Sequence, residues 1–404
     1  MTLLAPYQKL FNAAATVCAS LAIGVLAWSS TLPWFSVAAC GLVIVLWSAA
    51  TNRSQALLST LAYWLFASRD APTVIERYTG SSYLLCALMV LAYCAGVAGL
   101  YALAWSAQPA RRRAGLIVVS ALMLMPPLGG LFWASPMLAA GVLFPGTGLL
   151  GLGLLLSLWL AVDGLLQRRT LLNTGWVCAL LAGAALMQMR TEPKPPVDVL
   201  AMQTKLPRYP SSDLGQRYAY QLQLTELATQ ALQTNAAIVV MPEEIAGVRE
   251  ARFNWLWEDV DRQYREHGKT LFIGADTRAQ GGIYYNTLLV MGQTQAITKA
   301  SLPVPIGSWH PWDQRLHFPA SWFEAAHVQV LDRHFNVFFC YEELVPWPWI
   351  WSALANPAPY AAVTVVNHWF ATDLSLTDSQ LRSARSWSRL FGWPLVRSVN
   401  AGQG

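Results

Sequence analysis

The sequence predicts a multi-span α-helical membrane domain of about seven helices, followed by a layered α/β domain. Three observations predict it. Apolar residues make up 55% of the 404-residue chain and charged residues only 12%, about half the charged share of an ordinary soluble protein. The deficit is confined to one end: residues 1–190 hold ten Lys/Arg and three acids, whereas residues 191–404 hold seventeen bases and nineteen acids. Beyond Arg190 the long apolar runs give way to short β-prone segments alternating with helical ones, the pattern of a layered α/β domain.

A helix needs about 20 apolar residues to cross a bilayer. The runs at 11–30, 33–50, 55–68, 81–107, 114–134, 137–165 and 171–189 are the expected spans. Pro126-Pro127 should kink the fifth, and Pro145-Gly146 should tilt or break the sixth. With Lys9 in the cytoplasm, Arg53, Arg111–Arg112–Arg113 and Arg168–Arg169 fall in cytoplasmic loops. The opposite loops hold two Arg balanced by Asp70 and Glu76. An odd number of spans then places residues 191–404 outside the cytoplasm. The apolar runs that follow residues 9–30 argue against a cleaved signal peptide there. The expected division is a helical domain at 1–190, a proline-rich linker at 191–196, and a second domain at 197–404.

That second domain carries a slight excess of acids and no basic stripe, so direct nucleic-acid binding is not expected. Cys18, Cys40, Cys86, Cys94 and Cys178 lie in apolar runs, and Cys340 alone lies in the second domain, which therefore has no internal disulfide. No His or Cys shows metal-ligand spacing, and no metal or cofactor is expected.

The second domain's elements follow from period and punctuation. Val197–Met202, Ala236–Met241, Thr270–Gly274, Tyr284–Met291, Thr294–Lys299, Asn336–Cys340, Ala361–Val366 and Leu395–Val399 read as strands. Leu214–Gln233, Ala251–His267 and residues 375–391 read as helices, the second with Phe253, Leu256, Trp257 and Val260 on one face.

Three reactive groups fall at strand ends, where α/β sheets gather ligand-contacting side chains. Glu243 follows Pro242 past one buried strand, Lys299 ends Ala296–Lys299, and Cys340 ends an apolar strand. Taken singly, each has a bland reading: a surface or capping acid, a solvated lysine, a small buried thiol. Together they make an acyl-transfer set. A carboxylate takes the thiol proton, the thiolate attacks, and an ammonium holds the oxyanion. Glu244 competes with Glu243 for the base role. Glu342 reads equally as a supporting acid or as a first-turn helix acid, and the backbone N–H of Tyr341 is an oxyanion donor. Trp309, Trp312, Trp347, Trp349 and Trp351 cluster around these loops, as core or as membrane-interface residues.

Pro242-Glu243, Lys299 and Cys340-Tyr341-Glu342 resemble the Glu-Lys-Cys triad of the carbon–nitrogen hydrolase (nitrilase) superfamily. With several spans before it, the chain resembles that superfamily's apolipoprotein N-acyltransferase branch. Tyr285-Asn286, the loop Leu302–Gly307, Asn367–Phe370, Ser379-Gln380 through Pro394-Leu395, and Asn400–Gly402 carry the resemblance further. Pro303–Trp309, Trp312, Cys340–Glu343, Trp347-Pro348 and Trp387–Pro394 resemble more closely still the TraB family of plasmid conjugal-transfer membrane proteins.

The resemblance implies a nitrilase-like αββα sandwich and a Cys340 thioester, with Glu243 as base and Lys299 as oxyanion partner. It implies membrane lipids, a phospholipid or other acyl donor, and conjugation machinery proteins as partners. It further implies a bacterial inner-membrane location, with the N-terminus cytoplasmic and the second domain periplasmic. The sequence departs from the acyltransferase pattern at Ser308, where that branch has a second active-site Glu, with no acid before Asp313. It also ends at Gly404, before the further strands and last helix of that branch. These departures count against an apolipoprotein N-acyltransferase proper, which the resemblance alone keeps as an alternative, and motivate a second one beside an acyltransferase or amidase: a non-catalytic membrane component of a conjugation apparatus. A Cys340–His368 protease pairing is compatible with the spacing. A transporter is disfavoured, because Asp163 is almost the only ionisable group within the spans.

Overall fold

The computed structural model describes residues 5–167, 170–189, 192–210, 213–278, 284–305, 307–309 and 318–402. The expected features at Arg168, Arg169, Arg190, His310, Trp312, Asp313 and His317 lie outside the described residues. The chain forms two compact units. One comprises Met1–Glu192 with Leu344–Trp347 and Asp378–Gly392; the other comprises Pro193–Glu343, Pro348–Thr377 and Trp393–Gly404.

The first unit is helical: α1 (Ala5–Trp28), α2 (Leu42–Ala49), α3 (Arg53–Ala67), α4 (Ala71–Thr79), α5 (Tyr83–Ala104), α6 (Pro109–Leu122), α7 (Ala139–Leu143), α8 (Leu149–Gln167) and α9 (Leu171–Met187). Among the described residues three helices are long and apolar enough to cross a bilayer: Phe11–Trp28 of α1, α5 and α8. The other expected spans take different forms. Residues 33–50 open with a 3-10 helix (Trp34–Gly41) before α2, and 55–68 forms the fifteen-residue α3. The run at 114–134 is helical only to Leu122, short of Pro126-Pro127, and 137–165 is broken between α7 and α8 around Pro145-Gly146. Proline removes an N–H and clashes with the preceding turn, so an apolar run continues past it without continuing as one helix.

Aromatic residues pin these helices. Trp28 Nε1 donates to the Tyr63 hydroxyl at 3.0 Å, which donates to the Ala134 carbonyl at 2.9 Å. Trp47 Nε1 donates to the Tyr101 carbonyl at 2.9 Å. Each ring is buried with its polar handle satisfied. Asp378–Gly392 joins this unit through Arg382, whose guanidinium donates to the carbonyls of Ala27, Ser29, Leu32 and Pro33 and to the Ser36 hydroxyl. Those carbonyls lie at and beyond the end of α1, where helical partners run out.

The second unit holds two five-stranded sheets. Its strands are β1 (Val199–Ala201), β2 (Gln203–Thr204), β3 (Ile238–Val240), β4 (Thr270–Arg278), β5 (Tyr284–Gly292), β6 (Ala296–Lys299), β7 (His327–Val330), β8 (Arg333–Phe339), β9 (Ala361–Asn367) and β10 (Leu395–Asn400). The sheet orders are β1-β3-β4-β5-β6 and β2-β10-β9-β8-β7. The central strands of each pair in parallel, and β4-β5-β6 and β7-β8 pair antiparallel. The inner faces meet through Ile238, Val240, Phe272, Leu288, Val337, Phe339, Val363 and Val365. Phe272 and Phe335 pack edge to face across the layer at 5.7 Å. Each such buried side chain contributes about 1.5–3 kcal/mol of transfer free energy.

Outside the first sheet lie α10 (Leu214–Ala231) and α11 (Asn254–Glu266), which bury Leu224, Ala228, Val260 and Tyr264 against Val239, Leu271 and Ile273. On the second sheet Phe338 stacks on Trp349 of α12 (Pro346–Ala355), ring centroids 3.8 Å apart. The last helix, α13 (Leu376–Phe391), precedes β10. The short strands β2 and β7 and the helix α12 are elements that the sequence pattern does not mark.

Candidate active site

β3 ends at Val240, and the chain passes through Met241 and Pro242 to Glu243, beside Gly274 of β4. A Cβ on Gly274 would lie 2.5 Å from the Glu243 Cα and 2.4 Å from the Pro242 carbonyl oxygen. Only glycine admits this approach. Glu243 is buried, and Asn286 of β5 donates its side-chain N–H to Glu243 Oε1. The Cys340 thiol donates to the same carboxylate. Two of the three expected catalytic groups therefore meet, and they meet through a hydrogen bond of the right polarity for proton transfer.

Burial pushes the Glu243 carboxyl well above its usual range, and the charge of Glu244 adds to the rise; the bonds from Asn286 and Cys340 oppose it. Glu244, in a left-handed conformation at φ 49°, is raised to about 7 by burial, with Arg208 opposing. Asp276, paired with Asn286 across β4 and β5, is also raised, by burial and then by Glu244. Three carboxyls thus share one poorly hydrated end of the sheet, and they hold protons that exposed acids would release.

Cys340 opens a single 3-10 turn, Cys340–Glu343, directly after β8. Glu342 decides how that turn sits. Its buried carboxylate accepts backbone N–H bonds from Ser301 at 2.7 Å, Leu302 at 2.9 Å and Phe339 at 2.9 Å. Burial raises it to about 7 while those three bonds oppose the rise. Glu342 therefore ties the Cys340 turn to the segment just past Lys299. Glu342 stands in the first turn of that 3-10 segment and also accepts from the segment beyond β6. Glu343 is held apart from this by a bidentate pair with Arg397, at 2.8 and 2.9 Å. Tyr341 takes the second position of the turn, its phenol raised by burial.

Lys299 ends the edge strand β6. It pairs in register with Thr287, so it shares the face opposite to that of Asn286. Its ammonium is 2.9 Å from Glu324 Oε2 and 5.2 Å above the Tyr285 ring. It lines a cavity of about 400 Å³ with Thr277, Tyr285, Thr287 and Glu324, and neither Glu243 nor Cys340 lines that cavity. The described contacts bring Glu243 and Cys340 together and place Lys299 on the edge strand β6 beside Glu324.

His368, the alternative partner for the thiol, is buried just past β9, its backbone N–H donating to the Asn400 carbonyl. Trp349 is core, stacked on Phe338, and Trp309 packs edge-on against Trp322 at 6.3 Å. In the sequence Asn286 stands out only as part of a motif, and Glu324 and Asp276 do not stand out at all. The one signal for them is a position on or near a strand beside a candidate reactive group.

No protein-family model matches the chain. It is 27% identical over 420 residues to conjugal transfer protein TraB of Agrobacterium fabrum, covering 96% of this chain and 93% of that protein. It is 28% identical over 403 residues to the probable conjugal transfer protein TraB of Sinorhizobium fredii, covering 95% and 96%. Among solved structures, an amidase from Nesterenkonia sp. matches at 12% identity and TM-score 0.37, covering 50% of this chain and 75% of that one. A carbon–nitrogen hydrolase from Helicobacter pylori matches at 14% identity and TM-score 0.36, covering 50% and 72%. Over nearly its whole length, then, the chain is similar to proteins named conjugal transfer protein TraB.

Proposed function

We propose that the protein is a membrane-bound acyltransferase or amidase that works through a Cys340 thioester, in the setting of plasmid conjugation. The observation that carries this reading is the hydrogen bond from the Cys340 thiol to the buried Glu243 carboxylate, which also accepts from Asn286. Glu243 takes the thiol proton, and the thiolate attacks an acyl carbonyl. The oxyanion is held by the Tyr341 N–H and by the Lys299 ammonium, which exchanges Glu324 for it. Glu243 returns the proton to the leaving group as the thioester forms. It then deprotonates the incoming amine or water that releases the acyl group. The helices α1, α5 and α8 anchor the chain in the inner membrane, and further apolar helices complete the bundle; the N-terminus is cytoplasmic and the α/β unit periplasmic.

Turnover of amide and acyl-ester substrates, including phospholipid, by wild type and Cys340→Ala tests this. Loss of turnover and of a labelled adduct in the variant supports it, and equal turnover in both sinks it. A second reading, a non-catalytic component of the conjugation apparatus, is favoured by one observation: Lys299 is engaged by Glu324 and faces away from Asn286 and the catalytic acid. An alkylation rate at Cys340 that does not respond to Lys299→Ala or Glu243→Gln decides for it.

A further inference from the structure

The connection between α5 and α6 gathers more positive charge than the described residues around it neutralise. Arg111, Arg112 and Arg113 lie in the first turns of α6, and Arg53 reaches the same connection, its Nε donating to the Trp105 carbonyl at 3.3 Å. Arg112 and Arg113 both bind one carboxylate, Asp163 of α8, at 2.7 and 2.9 Å. Arg112 and Asp163 are only 3% and 1% exposed. Two guanidinium groups against one carboxylate leave one positive charge over; Arg113 carries it, 43% exposed, at the edge of the buried Arg112–Asp163 pair.

Two further features point to a missing acceptor. Arg112 Nη2 and Trp105 Nε1 are buried donors with no partner among the described residues, whereas most such groups in native proteins are satisfied. Both are donors, so what they lack is an acceptor. The Gln108 side chain at the N-cap makes no capping bond, which leaves amides and the positive end of a fourteen-residue helix dipole facing the same connection. Arginines that merely set topology would be solvated; Arg112 is not.

We propose that this connection binds a phosphate oxyanion, with Arg112 and Trp105 as inner donors and the Arg111 and Arg113 side chains and the Ala110 and Arg111 backbone amides as outer ones. The position favours the phosphate of an anionic lipid headgroup. The 22-residue α5 is long and apolar enough to cross a bilayer and ends at Ala104, so the connection lies at headgroup depth. The site is independent of the chemistry at Cys340.

The test uses the full chain in neutral detergent, titrated with vesicles of phosphatidylcholine alone, with vesicles containing one-third phosphatidylglycerol, and with inorganic phosphate. Wild type should bind the anionic vesicles at least about tenfold more tightly than the neutral ones. Trp105→Phe, which keeps an aromatic ring and removes the donor, and Arg112→Lys should each lose most of that preference, as expected for a charge-assisted hydrogen bond. Arg262→Gln, on exposed α11, should leave it unchanged. Competition by millimolar phosphate assigns the site to the oxyanion alone; its absence assigns it to the lipid. The same preference in wild type and Trp105→Phe overturns the proposal. Because Trp105→Phe leaves the Arg112–Asp163 pair intact, that comparison decides the matter even if Arg112→Lys fails to fold.

Discussion

Ser301, two residues beyond Lys299, donates its backbone N–H to the buried carboxylate of Glu342, two residues beyond Cys340, at 2.7 Å. One side chain thereby couples the lysine-bearing strand end to the Cys340 turn. Glu342→Ala should strand three buried N–H donors, at about 1–3 kcal/mol each before relaxation. Denaturant unfolding should record a loss of several kcal/mol, and Cys340 alkylation should lose its pH dependence. Glu342→Gln keeps one acceptor oxygen and should lie between. A Glu342→Ala protein of wild-type stability and reactivity would mean that the turn is held by something else.

Asn286 holds Glu243 by a single N–H bond from β5. Asn286→Ala should free the carboxylate to rotate, lowering turnover by about a hundredfold while substrate affinity changes little. Asn286→Asp should do worse, because it adds a fourth acid to Glu243, Glu244 and Asp276 and so raises the Glu243 carboxyl further. Kinetics for both variants check the order; an Asp variant as active as wild type would rule out the positioning role.

The Lys299–Glu324 pair is largely exposed, at 41% and 61%, so it is worth no more than about 1 kcal/mol. A latch that weak opens easily. Glu324→Gln should release the ammonium and speed Cys340 alkylation by up to about fivefold, while Lys299→Ala should slow it. Identical rates in wild type and both variants would separate the lysine from the thiol altogether.

Residues of the site differ in how far the sequence alone reveals them. Glu243 and Cys340 are legible because a reactive group past a buried apolar strand needs only strand boundaries to be placed. Lys299 is legible as the end of its strand but not in its neighbours, since its face depends on pairing with Thr287, twelve residues earlier. β2 and β7 are hidden because two to four residues leave too little alternation to detect. The apolar runs are legible as apolar, but hydropathy does not distinguish α5, one 22-residue helix, from 33–50, which opens as a 3-10 segment. The place of Asp378–Gly392 in the helical unit hangs on Arg382 finding the last carbonyls of α1 and the turn beyond it, 350 residues away at Leu32, a contact no local pattern announces.

Gly274 is the point at which backbone sterics fix Glu243. Gly274→Ala would press a methyl group against the Glu243 Cα and the Pro242 carbonyl. Overpacking of this kind costs about 1–3 kcal/mol, and relief must come from moving the segment that carries Glu243. The expected result is a modest fall in stability with a disproportionate loss of turnover. A variant that loses stability but retains full turnover would show that Glu243 is not positioned from β4.

The acids around Glu243 also set a direction for the response to pH. The folded protein keeps a proton on Glu244 up to about pH 7, whereas an unfolded glutamate releases it near 4.5. Over that interval the native state binds more protons than the unfolded state, so stability is greatest at the acid end and falls as pH rises toward 7. Glu243, Asp276 and Glu342 are raised as well and act with the same sign. Thermal midpoints measured from about pH 5 to pH 8 should therefore decline for wild type. Glu244→Gln, which cannot ionise, should decline less and should unfold at the higher temperature at the alkaline end. A variant curve parallel to wild type would mean that Glu244 is hydrated and ordinary, and that the proton shared at this end of the sheet sits elsewhere.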